Sequence, residues 1–477
     1  MKKRILSLLL ILAMCITLAA PAKVYAAENV PAESNEFVLF SKWAVPDLMY
    51  GETYGIYPTS WNEIGFKGSI SQAKFRVLLA GIRLKVLGTE CATESRMLKP
   101  VIDNSLTVEE VLKACYTVLY NYDYTVDLGL NNKLTPVAYM KQKGIYTGEN
   151  GEQDLKDRCS IEQALVIATR VITFVYNTLD VASKGFLWEV KSGDNTVYLL
   201  GSIHMASYSI YPFSDAMLKA YRSSDALIVE ADLYDQADVT AYSQMLIYTD
   251  GTTLKDHISA ESYKKIVETA ALFGLTEEVI ALMKPWTMAF LLESFALAGN
   301  VDADKIVTTL GIDMTFLNNA YAYQKPVYPI ESLTKQATIF DSFSAGLQEL
   351  MLNYDIDMIN DMVNGTEDDT MDLNEYADLM LEYWHDGDVE AFKALSSETD
   401  TDYFEGEQSV EIQKYMAEYE DKIMTQRDKG MAEFVVNLLN AEGSTTYFVI
   451  VGSAHYISDY SVLDILKEKG YTISQIK

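Results

Sequence analysis

Residues 197–204 read VYLLGSIH and residues 447–455 read YFVIVGSAH. Each is an apolar run closed by Gly-Ser-x-His, and together they use two of only four histidines in the 477-residue chain. Short apolar runs rich in Val, Ile, Leu and aromatics, bounded by glycine, are the pattern of strands buried on both faces. In open α/β sheets, ligands gather at the carboxyl ends of the parallel strands. Two strands that end alike in histidine therefore predict an α/β fold that delivers both imidazoles, His204 and His455, to one edge.

Working outward, strand candidates fall at 186–190, 196–201, 226–230, 326–330, 446–451 and 471–473, with helical stretches between several of them. This alternation predicts that residues 182–477 form a central, mostly parallel sheet with long helical insertions, mainly within 232–311 and 333–439. The second insertion is strongly acidic. Insertions over a rigid sheet commonly carry specificity. The run ALIVEAD ends its apolar stretch at Glu230, with Asp232 two places on, and PVYPIES delivers Glu331. His204, Glu230, His455 and Glu331 are thus expected at one edge from four strands, each glycine giving its turn the freedom to leave the sheet sharply. Imidazoles with carboxylates suit divalent zinc, manganese, cobalt or iron. Such an ion lowers the pKa of a bound water and polarises a carbonyl, the basis of metal-assisted hydrolysis.

Competing chemistries have less support. Ser202 and Ser453 lie inside the two motifs, but no Gly-x-Ser-x-Gly elbow surrounds either. Phosphate-binding glycine loops are absent. His257 lies between helical stretches and His385 among acids, positions that read as surface or packing. The formal charge of −30 argues against nucleic acid or anionic lipid as partners.

The amino terminus reads as a secretory signal over residues 1–26: Lys2, Lys3 and Arg4, an apolar stretch, then Val24-Tyr25-Ala26 as a small-residue cleavage site. No other run is long and apolar enough to span a bilayer, so a secreted or surface-exposed bacterial protein is expected. Export permits disulfides, yet Cys91, Cys115 and Cys159 are an odd set, which predicts buried thiols or at most one bridge.

Residues 37–180 carry a degenerate repeat. Amphipathic stretches open after Ser71, Thr107 and Ser160, whose hydroxyls can cap helix starts. The expectation is a small all-α repeat domain. It resembles bacterial S-layer homology repeats, which anchor exported proteins to cell-wall polymers. Where those repeats carry arginine after the capping residue, this chain has Gln72, Val108 and Ile161. The alternatives are therefore a wall anchor and a module that only packs on its neighbour.

The span from about 187 to 473 resembles the TraB/GumN family, relatives of the Tiki metalloproteases. The matching motifs occur in order: GSIH to His204, EAD from Glu230 to Asp232, Gly311-Ile312-Asp313 ahead of PVYPIES, Gln426-Arg427-Asp428-Lys429-Gly430-Met431-Ala432, and GSAH to His455. The residue after the second histidine is Tyr456 where the family commonly has Leu, and the acidic stretch 350–413 is peculiar to this chain. The resemblance implies a metal-dependent hydrolase, with peptidase activity as precedent and a peptide or small molecule as substrate. His204, Glu230 and His455 would form its core and Glu331 a further ligand or general base. Arg427 would neutralise the carboxylates or stabilise an oxyanion; the other reading is a helix-surface charge paired with Asp428 or Glu433. Asp313 reads as an acid favoured by a helix start. The alternative function is a non-catalytic metal- or haem-binding envelope protein.

Overall fold

Residues 40–58, 60–61, 65–102, 106–131, 133–148, 155–300, 310–364, 373–398 and 410–477 are described by a computed structural model of the chain. The expected signal, residues 1–26, lies outside the described residues. Two units separate by their internal contacts among the described residues: 40–183 with Tyr208–Asp215, and Lys184–Ser207 with Ala216–Lys477. The eight residues Tyr208–Asp215, just beyond the first motif, thus group with the helical part rather than with the sheet.

In the first unit, α1 (Val45–Thr53), α2 (Gln72–Leu87), α3 (Val108–Tyr120), α4 (Pro136–Gln142) and α5 (Ile161–Leu179) form the core. Ser71 caps α2 by accepting from the Lys74 N–H, and Thr107 and Ser160 start α3 and α5 with reciprocal capping boxes to Glu110 and Gln163. Such caps satisfy backbone donors that a helix start leaves unpaired. The three starts are also stitched to one another. Ile70 N–H donates to the Cys159 carbonyl, and Cys159 N–H to that of Leu106. α5 is buried along most of its length, with Leu165, Val171, Ile172 and Val175 fully enclosed. Gly81 allows close packing on α2, since a Cβ there would lie 2.3 Å from the Ile56 carbonyl oxygen. A short antiparallel pair, β1 (Ala92–Glu94) and β2 (Tyr122–Tyr124), interrupts a segment that the sequence reads as purely helical. Cys91, Cys115 and Cys159 are all free thiols, and burial pushes the Cys115 thiol up to about 12.

The second unit is built on β3 (Phe186–Ser192), β4 (Asn195–Ser202), β5 (Ala226–Val229), β6 (Val327–Pro329), β7 (Thr446–Gly452) and β8 (Ile473–Ile476). They form one sheet in the order β6-β5-β7-β4-β3-β8. The four strands β6, β5, β7 and β4 are mutually parallel, while β3 and β8 add antiparallel partners at one side. A two-residue turn joins β3 to β4, with Gly193 at φ +57, the left-handed geometry such a hairpin needs there. Parallel strands covered on both faces read as continuous apolar runs, and Leu199, Leu200, Leu227, Phe448 and Val449 are fully buried. Each such large side chain contributes about 1.5–3 kcal/mol on leaving water. The last strand begins two residues later than the sequence pattern suggests.

Helices fill the crossovers. α6 (Asp215–Ser223) leads from β4 to β5. α7 (Gln236–Met245), α8 (Ala260–Ala271), α9 (Glu277–Leu282), α10 (Pro285–Asn300) and α11 (Ile312–Tyr323) lie between β5 and β6. α12 (Leu333–Asp341), α13 (Ala345–Asn364), α14 (Leu373–Asp386), α15 (Val389–Glu398), α16 (Val410–Glu420) and α17 (Gln426–Leu439) lie between β6 and β7. The short α18 (Ala454–Ile457) and α19 (Val462–Glu468) precede β8. A π-helical turn, Asp421–Thr425, runs without a break from α16 into α17. The insertions have apolar cores of their own, one around Trp286, Phe290, Phe340 and Tyr419 and one around Ile266, Met288, Leu292 and Ile356. No helix among the described residues is long and apolar enough to cross a membrane.

Candidate functional site

Strand register fixes the edge. Ser202 of β4 lies opposite Gly452 of β7, so His204 and His455 emerge side by side, two and three residues beyond paired positions. On the other side of β7, Val229 of β5 pairs with Ile450, and Val229 also pairs with Pro329 of β6. Glu230 and Glu331 follow at once, held together by the Glu331 N–H donating to the Glu230 carbonyl. All four sequence-nominated strand-end residues therefore come from four adjacent parallel strands.

Neither Gly201 nor Gly452 has the left-handed φ of a sharp turn; both are strand residues. Gly201 is required by proximity instead. A Cβ there would lie 2.9 Å from Ser453 Oγ and 3.2 Å from Ser453 Cα, so only glycine lets the two motifs meet. The Ser453 hydroxyl donates to the Ser202 carbonyl at 2.9 Å, and the buried Ser202 Oγ has no hydrogen-bond partner and hence no base beside it. A serine nucleophile has no support in this geometry.

Each imidazole is gripped at Nδ1 by an aspartate. His204 Nδ1 is 2.9 Å from Asp313 Oδ1 at the start of α11, and His455 Nδ1 is 2.6 Å from Asp428 Oδ1 on α17. A carboxylate only accepts, so Nδ1 carries the proton and Nε2 of the neutral ring is left with the free lone pair. Ile312 N–H donates to the Ile203 carbonyl and so docks the start of α11 on the first motif. Asp313, expected only as a helix-start acid, is thus an orienting partner. The sequence offers Asp428 only as a mate for Arg427. What marks it in the sequence is its place directly after Arg427 in a segment like the family's.

Arg427 is buried and binds both glutamates, with Nε 3.0 Å from Glu331 Oε2 and the other arm on Glu230 Oε1. The surface-charge reading of Arg427 is therefore excluded. Glu230 also accepts from Gln336 Nε2 at 2.9 Å and from the Gly452 N–H at 3.2 Å. Glu331 takes Lys335 at 3.3 Å on its second oxygen, so its carboxylate is committed to cations. Glu331, expected as a further ligand or general base, is here the second anchor of Arg427. Side-chain exposure separates the two halves of the site: 17% for both His204 and Glu230, against 2% for His455, Asp428 and Glu331. Solvent therefore reaches the cluster on the His204–Glu230 side.

Burial alone would raise the Glu230 carboxyl, but Arg427, His455, His204 and the Gly452 N–H hold it down at about 2. Burial would lower His204, yet Asp313 and Glu230 raise it from 6.5 to about 9. A histidine that gains affinity for its proton on folding stabilises the fold fully below pH 6.5, and that contribution is lost as pH rises through about 9. Asp313→Asn should therefore destabilise the protein at neutral and acidic pH, with the difference from the parent closing above pH 9. The His204 ring resonance, followed by NMR titration, should shift at lower pH in the variant; an unchanged midpoint would contradict the pairing.

The donors fit a divalent ion in kind. Two histidines with Nδ1 fixed by carboxylates present Nε2, the arrangement that orients metal-bound imidazoles, and Glu230 is an ionised carboxylate beside them. They are not drawn together to ligating separations, however. Among the described residues no group of three or more His, Cys, Asp or Glu side chains is placed to hold a metal ion. Arg427 already neutralises both glutamates. His257 and His385 lie elsewhere, the first stacked on Tyr248 and the second against Asp386.

Comparison with known proteins gives a family model, described as the TraB/PrgY/gumN family, that matches residues 186–475. A metalloprotease TIKI homolog of Nematostella vectensis is 20% identical over 324 residues, 61% of this chain and 67% of that protein. Metalloprotease TIKI1 of Danio rerio is 20% identical over 330 residues, 62% of this chain and 64% of that protein. The uncharacterized protein YbaP of Escherichia coli strain K12 is 27% identical over 146 residues, 30% of this chain and 51% of that protein. The chain thus spans between half and about two thirds of these relatives. No solved structure matches it.

Proposed function

We propose, from the premise that this chain belongs to the TraB/PrgY/gumN family, that it is a metal-dependent hydrolase acting on peptides. What carries the reading is the pair of neighbouring parallel strands that bring His204 and His455 to one edge, each ring locked by an aspartate. The likeness to TIKI metalloproteases adds the substrate class.

His204, His455 and Glu230 would hold the ion, one of manganese, cobalt, zinc or iron. When bound, it would supply Lewis acidity for a carbonyl and an activated water. The protein's own groups do the rest. Asp313 and Asp428 fix the ring planes and keep Nε2 directed outward from each pair. Arg427 keeps Glu230 ionised, so this carboxylate remains an acceptor and is too weak a base to take a proton from water. His204 holds its proton tightly beside Asp313 and Glu230, so an ion held by this ring would compete with that proton and its uptake would strengthen as pH rises. Export, on the strength of residues 1–26, and a wall-polymer contact through residues 37–180 belong to the same proposal.

The test uses the full chain, stripped with a chelator and then supplied with single metals, with cleavage of a peptide library read by mass spectrometry. Cleavage lost on stripping and restored by one metal supports the reading. Metal uptake without any cleavage would favour the alternative of a metal- or haem-binding protein, and cleavage indifferent to chelation removes metal dependence altogether.

A further inference from the structure

A second set of buried polar groups lies away from the sheet edge, where α10 and α13 pack on each other. Glu293 on α10 and Asp355 on α13 are both fully buried, and none of their four carboxylate oxygens has a hydrogen-bond partner. The hydroxyl of Tyr419, on α16, is buried, also lacks a partner, and feels the charge of both carboxylates. Flanking residues belong to the two apolar cores of the insertions: Phe290 and Tyr354 to one, Leu292 and Ile356 to the other. Three hard oxygen groups therefore share a dry junction between hydrocarbon surfaces.

Native interiors rarely leave such groups unsatisfied, because an unpaired buried carboxylate is among the costliest things a fold can contain. Among the described residues neither acid has an ion-pair partner. The cation whose charge reaches Tyr419 is Arg427, which is engaged with Glu230 and Glu331. Burial pushes both carboxyls well above their ordinary range, and the charge of Asp355 adds to the rise at Glu293, so they do not stay ionised without a counter-charge. Protonation alone does not complete them. A proton shared between the two carboxyls satisfies at most one oxygen of each and leaves the others, and the Tyr419 hydroxyl, unpaired. A bridging group that accepts several oxygens at once does complete them.

We propose that Glu293, Asp355 and the Tyr419 hydroxyl form a second cation site inside the helical insertions, one that takes a hard divalent ion of the Ca²⁺ or Mn²⁺ kind. The donor set is all oxygen, as such ions prefer. Its two negative charges match the ion, and the ion ties α10 to α13 and α16. The site is structural and independent of the chemistry at the sheet edge.

The experiment uses the full chain carrying His204→Ala and His455→Ala, which disables the edge, after removal of metals by a chelator. Ca²⁺ is titrated by calorimetry and Tb³⁺ by luminescence excited through the aromatic side chains, with thermal unfolding measured alongside. One equivalent should bind and raise Tm. Adding Glu293→Gln with Asp355→Asn should weaken binding by about 100-fold or more and abolish the Ca²⁺-dependent rise in Tm. Should that pair of changes prevent folding, as judged by circular dichroism, Asp355→Asn alone serves the same comparison. No uptake in the histidine-free background overturns the site. So does equal uptake by the amide variant, or an amide variant that is more stable than a parent indifferent to Ca²⁺, since the acids would then be held by protons.

Discussion

Arg427→Met should cost about 3–5 kcal/mol of unfolding free energy, the range found when one partner of a buried ion pair is removed. Two carboxylates pair with this one side chain, Glu331 buried and Glu230 partly so. Lysine should not rescue the loss, because one ammonium cannot reproduce the two-armed guanidinium contact with Glu331 and Glu230. The effect also has a pH signature. Glu230 has its carboxyl depressed from 4.5 to about 2, so its pairing stabilises the fold above pH 4.5 and that contribution is lost as pH falls through about 2. The gap between parent and variant should accordingly narrow over that window. Equilibrium denaturation followed by tryptophan fluorescence at neutral pH and near pH 3 checks both statements; a constant gap would mean that Arg427 acts by packing alone.

The second large effect concerns turnover. His204→Ala and His455→Ala should each lower kcat/KM for peptide cleavage by about 10²–10⁴-fold, the span that positioned acid–base and ligand groups contribute. Asp428→Asn should weaken metal affinity by about 10–100-fold, as loss of an outer partner of a ligating histidine does. His257→Ala is the matched control, since His257 is exposed, bonded to Thr252 and stacked on Tyr248. Its cleavage rate and metal content should equal those of the parent. Equal losses in all the histidine variants would point to general destabilisation and sink the assignment.

The strand-end residues were legible because each follows an apolar run whose last residue must leave the sheet. Helix starts at Ser71, Thr107 and Ser160 were legible for a similar reason: a hydroxyl ahead of helical apolar spacing has one obvious job. Other features depend on facts that a linear pattern does not carry. That β4 and β7 are neighbours is a matter of register across some 250 residues. Asp313, Gln336 and Asp428 are single polar residues on helices, and which way they face depends on how each helix docks. The pair β1 and β2 escaped because three-residue strands, ATE and YDY, are too short to show alternation. Gly201 was recognised, but for the wrong reason, since its need comes from a neighbour in space and not from its own backbone.

The π-helical turn at Asp421–Thr425 has a mechanical meaning for the chain around it. A turn closed by i→i+5 bonds holds one residue more than its α counterpart, and so advances the angular phase of everything downstream. Upstream of it Tyr419 faces the insertions, and downstream Arg427 and Asp428 reach toward glutamates and a histidine at the sheet edge. The extra residue acts as a gear between two rotational settings of a single rod. Deleting any one of the five would mesh the rod straight, swinging one end away from its partners by about a quarter turn or slightly more. Length changes earlier in the acidic stretch leave that gear untouched, so they should not disturb the edge.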